Sequence, residues 1–283
     1  PDSIAMLLLA HEAIPGGFEV ATVDHGLRPE AKDECALVLA ACEQRGVSCE
    51  VLGIEVGEGN LQAQARAARY DALGDWATRR GLAAVATAHH ADDQAETLLM
   101  RLNRGSGVAG LAGVRRSQPH GFAGIRILRP LLGFRRAELK KVIAGARQKV
   151  VHDPSNVDER FDRVRIRSAL ADCDWLDPAA LAISASNVAE AYEALQAYAE
   201  RLWPEMVTQT ADGFLLKPGR SREMNRRLLA QVMERLGGRP RGGDVARLLL
   251  RLEAGEGGNV AGVLAKIEDG RWALTREPAR RTG

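Results

Sequence analysis

Cysteine is scarce and unpatterned in this 283-residue chain. Its four copies, Cys35, Cys42, Cys49 and Cys173, form no CxxC pair and no metal-ligand spacing, which argues against a zinc ribbon, an iron–sulfur centre or a disulfide scaffold. They read as reduced core or surface thiols of a cytosolic protein. Cys35, Cys42 and Cys49 recur every seven residues, but Cys35 and Cys42 share a helix stripe while Cys49 falls in the next strand, so no ligand cluster follows. Missing too is any apolar run long enough to span a bilayer. Pro1-Asp2-Ser3 has no basic start of a secretory leader, so none is expected. There is no internal repeat and no low-complexity segment.

Charge of one sign is locally absent as well. Residues 168–200 hold no lysine or arginine against six acids, and residues 101–167 hold only five acids against 16 basic residues. Residues 1–100 carry 7 basic against 16 acidic side chains, and residues 201–283 carry 16 against 10, so a net charge of +2 conceals strong segregation. An acidic half abutting a basic block fits a polyanion-binding surface; the plainer reading is a solvated charged face.

What is present is a βα alternation. Apolar runs at 18–23, 47–54 and 82–86 read as strands between helices at 5–10, 29–45, 61–80 and 92–104, the third with Leu61, Ala65, Ala68, Ala72 and Trp76 at helical spacing. This predicts an α/β fold with a doubly wound, mainly parallel sheet. Beyond a glycine-rich stretch, Gly105 to Gly113, a short strand near 125–128 and a helix at 135–144 follow. A mainly helical remainder has helices at 178–202, 221–236 and 243–252 and a hairpin, 260–267 with 272–275, around Asp269-Gly270. The boundary is expected near 171–178, giving domains 1–174 and 175–283.

The richest segment is Thr87-Ala88-His89-His90-Ala91-Asp92-Asp93-Gln94-Ala95-Glu96-Thr97. It closes a strand and opens a helix, where open α/β sheets place their chemistry. Asp93 and Glu96, three apart, are surface neighbours pointing away from the apolar face of Ala95, Leu98, Leu99 and Leu102. Acids in a first turn also complement the helix dipole, but that accounts poorly for two histidines and three acids together. Asp24, in Val23-Asp24-His25-Gly26-Leu27-Arg28-Pro29-Glu30, ends another strand and would face the same crevice, although Asp, Gly and Pro equally make a turn. Arg66, Arg69 and Tyr70 are placed on the polar side of their helix, where an arginine fork suits phosphate or carboxylate. Gly105 either lets backbone amides approach phosphate or simply ends a helix. In Phe161-Asp162-Arg163-Val164-Arg165-Ile166-Arg167, a helix would put Arg163 and Arg167 on one face, fit for a phosphate backbone or for solvent.

On the segments 23–28, 65–70, 87–97, 104–111 and Asp153-Pro154-Ser155-Asn156 with the arginines after it, the chain resembles the bacterial tRNA(Ile)-lysidine synthetases, a family of N-type PP-loop ATPases. The likeness spans most of residues 1–170 and extends more weakly to the helical remainder. That family's ATP loop reads Ser-Gly-Gly-x-Asp-Ser; Pro1-Asp2-Ser3 matches its end, and its beginning and the strand before it are expected upstream. Val164 stands where the family usually has Asn, and the second C-terminal domain of some members is not matched.

The resemblance implies a cytoplasmic ligase that adenylates C2 of the wobble cytidine of tRNA(Ile) with a CAU anticodon and then displaces AMP with free L-lysine. It implies ATP and Mg²⁺, with a homodimer left open. Carried over to this sequence, Pro1, Asp2, Ser3, Asp24, His25, His89 and Gly105 would bind ATP, and Asp24 and Asp93 the metal. Asp93, Glu96 and Arg66 would bind lysine and, with Asp24, carry the catalysis, the division of roles among the three acids being open. Arg104, Arg163, Arg165 and Arg167 would contact tRNA. The alternatives are a 2-thiolation enzyme of the same ATPase class, which would need a cysteine pair or an iron–sulfur cluster, and a non-catalytic tRNA-binding homologue.

Overall fold

A computed structural model describes residues 1–24, 26, 30–54, 61–118, 124–150 and 162–278. Their elements run α1 (Asp2–Ala13), β1 (Val20–Asp24), α2 (Glu30–Glu43), β2 (Cys49–Gly53), α3 (Leu61–Arg79), β3 (Ala84–Ala86), α4 (Ala91–Leu102), α5 (Val108–Leu111), β4 (Ser117–Gln118), β5 (Arg126–Leu128), a 3₁₀ turn (Pro130–Gly133), α6 (Arg136–Gly145) and α7 (Asp162–Ala171). Then come α8 (Pro178–Met206), β6 (Val207–Gln209), β7 (Gly213–Leu216), α9 (Arg222–Arg235), α10 (Gly242–Glu253), β8 (Gly258–Val260), β9 (Val263–Glu268) and β10 (Arg271–Arg276). Two compact units result, residues 1–105 with 110–187, and residues 106–109 with 188–283. The division falls within α8. His25, Arg28 and Asp153-Pro154-Ser155-Asn156 lie outside the described residues.

In the first unit the parallel pairing takes two forms. β1 pairs in parallel with β2, and β3 in parallel with β5, which also holds the short antiparallel β4. Among the described residues the two pieces share no strand hydrogen bond; apolar packing joins them. Leu52 of β2, Val85 of β3 and Leu73, Trp76 and Ala77 of α3 form one core, with Ala21 and Val23 of β1 against it. Ile4, Ala5, Leu7 and Leu8 of α1, Ala41 and Cys42 of α2, and Leu139 and Ile143 of α6 form another, with Val20 and Cys49 against it. Because side chains alternate along a strand, β1 sends Val20 to one core and Ala21 and Val23 to the other. Helices therefore cover both faces, the doubly wound arrangement the alternation predicts.

α4 is held at both ends. Gln94 clamps the backbone of Val114, accepting its N–H at 2.6 Å and donating to its carbonyl at 2.8 Å. Gly113, at φ +63°, makes room for this: a Cβ there would lie 2.5 Å from Gln94 Oε1. Arg101 donates to the carbonyl of Gly113 at 3.1 Å. The glycine-rich stretch thus folds back on α4.

The second unit differs from expectation in its sheet. The terminal hairpin β9–β10 is the middle of a five-stranded antiparallel sheet ordered β6-β7-β10-β9-β8. Its inner face packs Leu216, Val263, Ala265, Trp272 and Leu274 against Leu228, Leu229, Val232 and Met233 of α9 and Leu248, Leu249 and Leu252 of α10. β6 and β8 are three residues long and β7 four, too short to display a two-residue period. Pairing with β9 and β10 makes them strands.

Candidate active site

The conformation of α4's first turn follows from its sequence. His90, the N-cap, has extended backbone; its ring Nδ1 accepts the Asp93 N–H at 3.4 Å, while Asp93 Oδ2 accepts the His90 N–H at 3.1 Å. Each satisfies an amide that a helix start leaves open. With Nδ1 accepting, the ring's N–H is on Nε2. That Nε2 is buried, 3.6 Å from both Asp2 Oδ2 and Asp93 Oδ2. His90 thereby draws the start of α1 and the start of α4 onto one imidazole. The double histidine was visible in the sequence; that His90 is the one enclosed between Asp2 and Asp93 was not.

Asp2 is held below the usual carboxylate range. Burial, the largest single influence, pushes upward but is outweighed by the His90 hydrogen bond and the charges of His90 and Arg136. Asp92 is lowered too: against burial, the Arg136 amide and the Arg135 guanidinium favour its ionised form. It accepts from the Arg136 N–H at 2.7 Å and from Arg135 at 3.3 Å. This ties α4 to the start of α6, so Asp92 is a structural brace.

Glu96 lies one turn further on, its side chain 1% exposed. Arg167 donates to both its oxygens, at 2.7 and 3.3 Å. Arg163 Nε lies 3.4 Å and Arg136 Nη2 3.8 Å away, and Arg163 also donates to Thr97 at 3.0 Å. α7 is helical, so Arg163 and Arg167 do share a face, and that face meets α4. Val164 turns the other way and is buried. Arg104 and Arg165 instead face solvent beside Asp162, at 2.8 and 3.7 Å, and exposed pairs of that kind are worth about 0–1 kcal/mol.

His89 sits at the C-terminal end of β3 with Nδ1 2.9 Å from Thr87 Oγ1. Its pKa is pulled down to about 4, chiefly by burial; Asp93 opposes this, and the charges of Arg129, Arg66 and Arg163 reinforce it. His89 is thus a neutral imidazole at pH 7, and Asp93, Arg66 and Arg163 lie within its electrostatic reach. Arg129, which follows β5, is buried and donates to the Arg115 carbonyl at 2.7 Å. Tyr70 is buried rather than on the polar side, with Arg66 over its ring at 5.0 Å. Aromatic bulk there is worth more in the core than in water, which helical spacing of small alanines did not reveal.

A pH dependence follows from His89. Between the ordinary histidine value of 6.5 and about 4, the unfolded chain binds a proton that the folded chain excludes. Stability is therefore complete above pH 6.5 and falls as pH drops toward 4, by an amount on the order of 3 kcal/mol. Thermal unfolding across this window should show a flatter profile for His89→Gln than for the parent.

The structure therefore gathers Asp2, His89, Asp93, Glu96, Arg66, Arg163 and Arg167 around the starts of α1 and α4. Asp24 ends β1, and its Oδ1 accepts the Gly26 N–H at 2.9 Å in a turn. Ser3 lies in the first turn of α1, where the amides of Asp2, Ser3 and Ile4 have no intrahelical acceptor and favour an anion. Gly105, at φ +63°, follows the end of α4, its N–H bonded to the Leu102 carbonyl at 3.0 Å. Among the described residues no three His, Cys, Asp or Glu side chains gather as a metal cage. Asp24 and Asp93 offer hard oxygen donors of the kind that hold Mg²⁺ together with phosphate oxygens. Arg129 and Arg136 were not singled out from sequence. Their placement depends on burial and on contacts between α1, α4, α6 and β5, which no local pattern encodes.

Comparison with known proteins gives the family. Residues 1–173 match the PP-loop domain family. Over 100% of this chain and 88% of the relative's, the sequence is 48% identical to a tRNA(Ile)-lysidine synthase of Novosphingobium aromaticivorans. It is 36% identical to that of Zymomonas mobilis subsp. mobilis over 99% and 87% of the two chains, and 40% identical to that of Ruegeria pomeroyi over 98% and 69%. Among solved structures, the U34-tRNA thiolase NcsA of Methanococcus maripaludis with its [4Fe-4S] cluster aligns with a TM-score of 0.54 at 18% identity, over 69% of this chain and 68% of that one, a likeness of fold alone. With full-length relatives at this identity and a PP-loop domain over its first unit, the chain belongs to the tRNA(Ile)-lysidine synthase family of PP-loop proteins.

Proposed function

We propose that the chain ligates free L-lysine to C2 of the wobble cytidine of tRNA(Ile) bearing a CAU anticodon, consuming ATP in the cytoplasm. The observation that carries this reading is the pair of carboxylates Asp93 and Glu96 on successive turns at the start of α4, three residues apart and backed by arginines. A lysine substrate brings an ammonium that must be held and then deprotonated, since only the neutral amine attacks. Asp93 accepts that role because its partner His90 orients it. Glu96, saturated by Arg167 and Arg163, holds the geometry of the wall it stands in. Arg66, on the exposed side of α3, takes the lysine carboxylate or a phosphate.

In the first step the cytidine C2 oxygen attacks the α-phosphorus of ATP and pyrophosphate leaves. In the second the ε-amine attacks C2 and AMP leaves. Pro1, Asp2 and Ser3 bring the start of α1 to the phosphates, with Asp24, His25, His89 and Gly105 completing the nucleotide site. Asp24 and Asp93 would hold Mg²⁺, which would offset the phosphate charge that Asp2 and Asp93 would otherwise repel. The exposed arginines Arg104 and Arg165 reach the tRNA backbone, while Arg163 and Arg167 contact it from the Glu96 side. The second unit, with 188–283, supplies further tRNA contacts.

The test is incorporation of radiolabelled lysine into acid-precipitable tRNA(Ile) with a CAU anticodon, in the presence of ATP and Mg²⁺. Label that requires ATP, and that is absent when the wobble base is changed from cytidine, is the expected result. Tight tRNA binding without incorporation would overturn the reading in favour of a silent tRNA-binding homologue.

A further inference from the structure

The arginines of α3 are held in two different ways. At the end of the helix Arg80 donates to both oxygens of Glu19, at 2.8 and 2.7 Å, and Arg79 donates to Glu50 at 3.1 Å. A carboxylate answers each charge. Near the start of the helix Arg66 lies instead on a neutral phenol. Its Nη2 donates to the Tyr70 hydroxyl at 3.3 Å, and its guanidinium carbon stands 5.0 Å from the centre of the same ring. Residues four apart are neighbours on a helix, which brings the two together. Only one of them is free to move. Arg66 is exposed, whereas Tyr70 is buried one turn before Leu73, which with Trp76 and Ala77 packs on Leu52 of β2 and Val85 of β3. The pair also has a defined place in the fold. α3 follows β2 and leads into β3, so in such a crossover its first turns share the carboxyl edge of the sheet with His89, just past the end of β3.

We propose that Tyr70 is a positioning residue for Arg66, an inference that rests on the reading of Arg66 as the group that takes the lysine carboxylate or a phosphate. The phenol holds the guanidinium fork in one orientation toward the oxyanion of the substrate; Tyr70 itself touches no reacting atom. An exposed arginine samples many rotamers, and a ligand that binds it must order it. Two contacts to one buried ring do that ordering in advance. Because the phenol is neutral, they do so without cancelling the charge, as Glu19 does for Arg80. A planar fork grips a carboxylate or phosphate only when both its N–H bonds aim together. Loss of the hold is therefore felt as weaker substrate binding, not as slower chemistry once the substrate is bound.

Tyr70→Phe tests this, since it keeps the ring and its volume and deletes only the hydroxyl. In the lysine-incorporation assay the expected result is a rise of about three- to tenfold in one KM. That KM is for lysine if the fork holds its carboxylate, and for ATP if it holds a phosphate. The other KM, kcat and the melting temperature should match the parent. Two unchanged KM values, or a fall in kcat that tracks a lower melting temperature, would overturn the proposal. In an Arg66→Met background Tyr70→Phe should raise neither KM further, because a positioning residue acts only through the group it positions; an equal rise there also defeats it. The hold is read without catalysis from the guanidinium ¹⁵N signals of Arg66, assigned by their loss in Arg66→Met. Rotation about Nε–Cζ should be restricted in the parent and faster in Tyr70→Phe, and equal rates in the two would sink the proposal. Restricted rotation in a parent that incorporates no lysine supports the hold and overturns only the functional reading on which its purpose rests.

Discussion

Asp93→Asn is expected to lower lysine incorporation into tRNA by about 10²- to 10⁴-fold, the range for loss of a positioned acid–base group, while the protein stays folded. The substitution removes charge but little structure. The Asn carbonyl oxygen can still accept the His90 N–H that Asp93 Oδ2 accepts at 3.1 Å, and the backbone N–H of residue 93 still reaches His90 Nδ1. What disappears is the negative charge beside His89 and above buried His90. The two half-reactions separate the roles that the sequence left open. If Asp93 handles the lysine ammonium, release of pyrophosphate in the presence of tRNA persists and only the second step fails. If it is needed for Mg²⁺, pyrophosphate release falls with it. Wild-type incorporation by Asp93→Asn would remove this residue from the site altogether.

The second large effect is on stability. Glu96→Gln should destabilise the first unit by about 3 kcal/mol, because removing one partner of a buried ion pair leaves the other charges uncompensated. Here three arginines converge on one carboxylate, with Arg167 at 2.7 Å, Arg163 at 3.4 Å and Arg136 at 3.8 Å. Their side chains are 24–41% exposed, so water shares some of the load and the loss stays at the lower end of the range. For a unit of this size the melting temperature should fall by roughly 6–12 °C. Removing Asp162, by contrast, breaks only the exposed pairs with Arg104 and Arg165 and should cost about 0–1 kcal/mol. A Glu96→Gln protein that melts with the parent would show that the arginines are not held by this carboxylate. Measuring a double-mutant cycle with Arg167→Ala isolates the pair from the repulsion among the remaining arginines. Activity assayed well below both melting temperatures then tells whether Glu96 also meets the lysine ammonium.

Much of this architecture was readable because strong local signals agreed. The alternation of β-branched runs with helical periodicity placed the helices and strands of the first unit within a few residues of α1 to α4, β5 and α6. His89 to Glu96 stood out because two imidazoles and three carboxylates crowd one strand-to-helix junction, more than a helix start requires. Arg163 and Arg167 shared a face because they are four apart. What their periodicity did not carry is direction. A basic helix face turned toward solvent and one turned onto a buried glutamate look the same in sequence.

The sequence by itself determined most element types of the first unit, the family and the cluster of acids at α4, since all three rest on short-range spacing and on residue chemistry. Only the tertiary structure decided which histidine is buried, that Asp2 and Asp93 share His90, that Glu96 is enclosed by arginines from α6 and α7, and that a hairpin is the centre of a five-stranded sheet. The physical reason is the same in each case. Burial and charge pairing are set by which surfaces meet, and residues such as Asp2 and His90, 88 positions apart, become neighbours only when the helices and strands between them have packed.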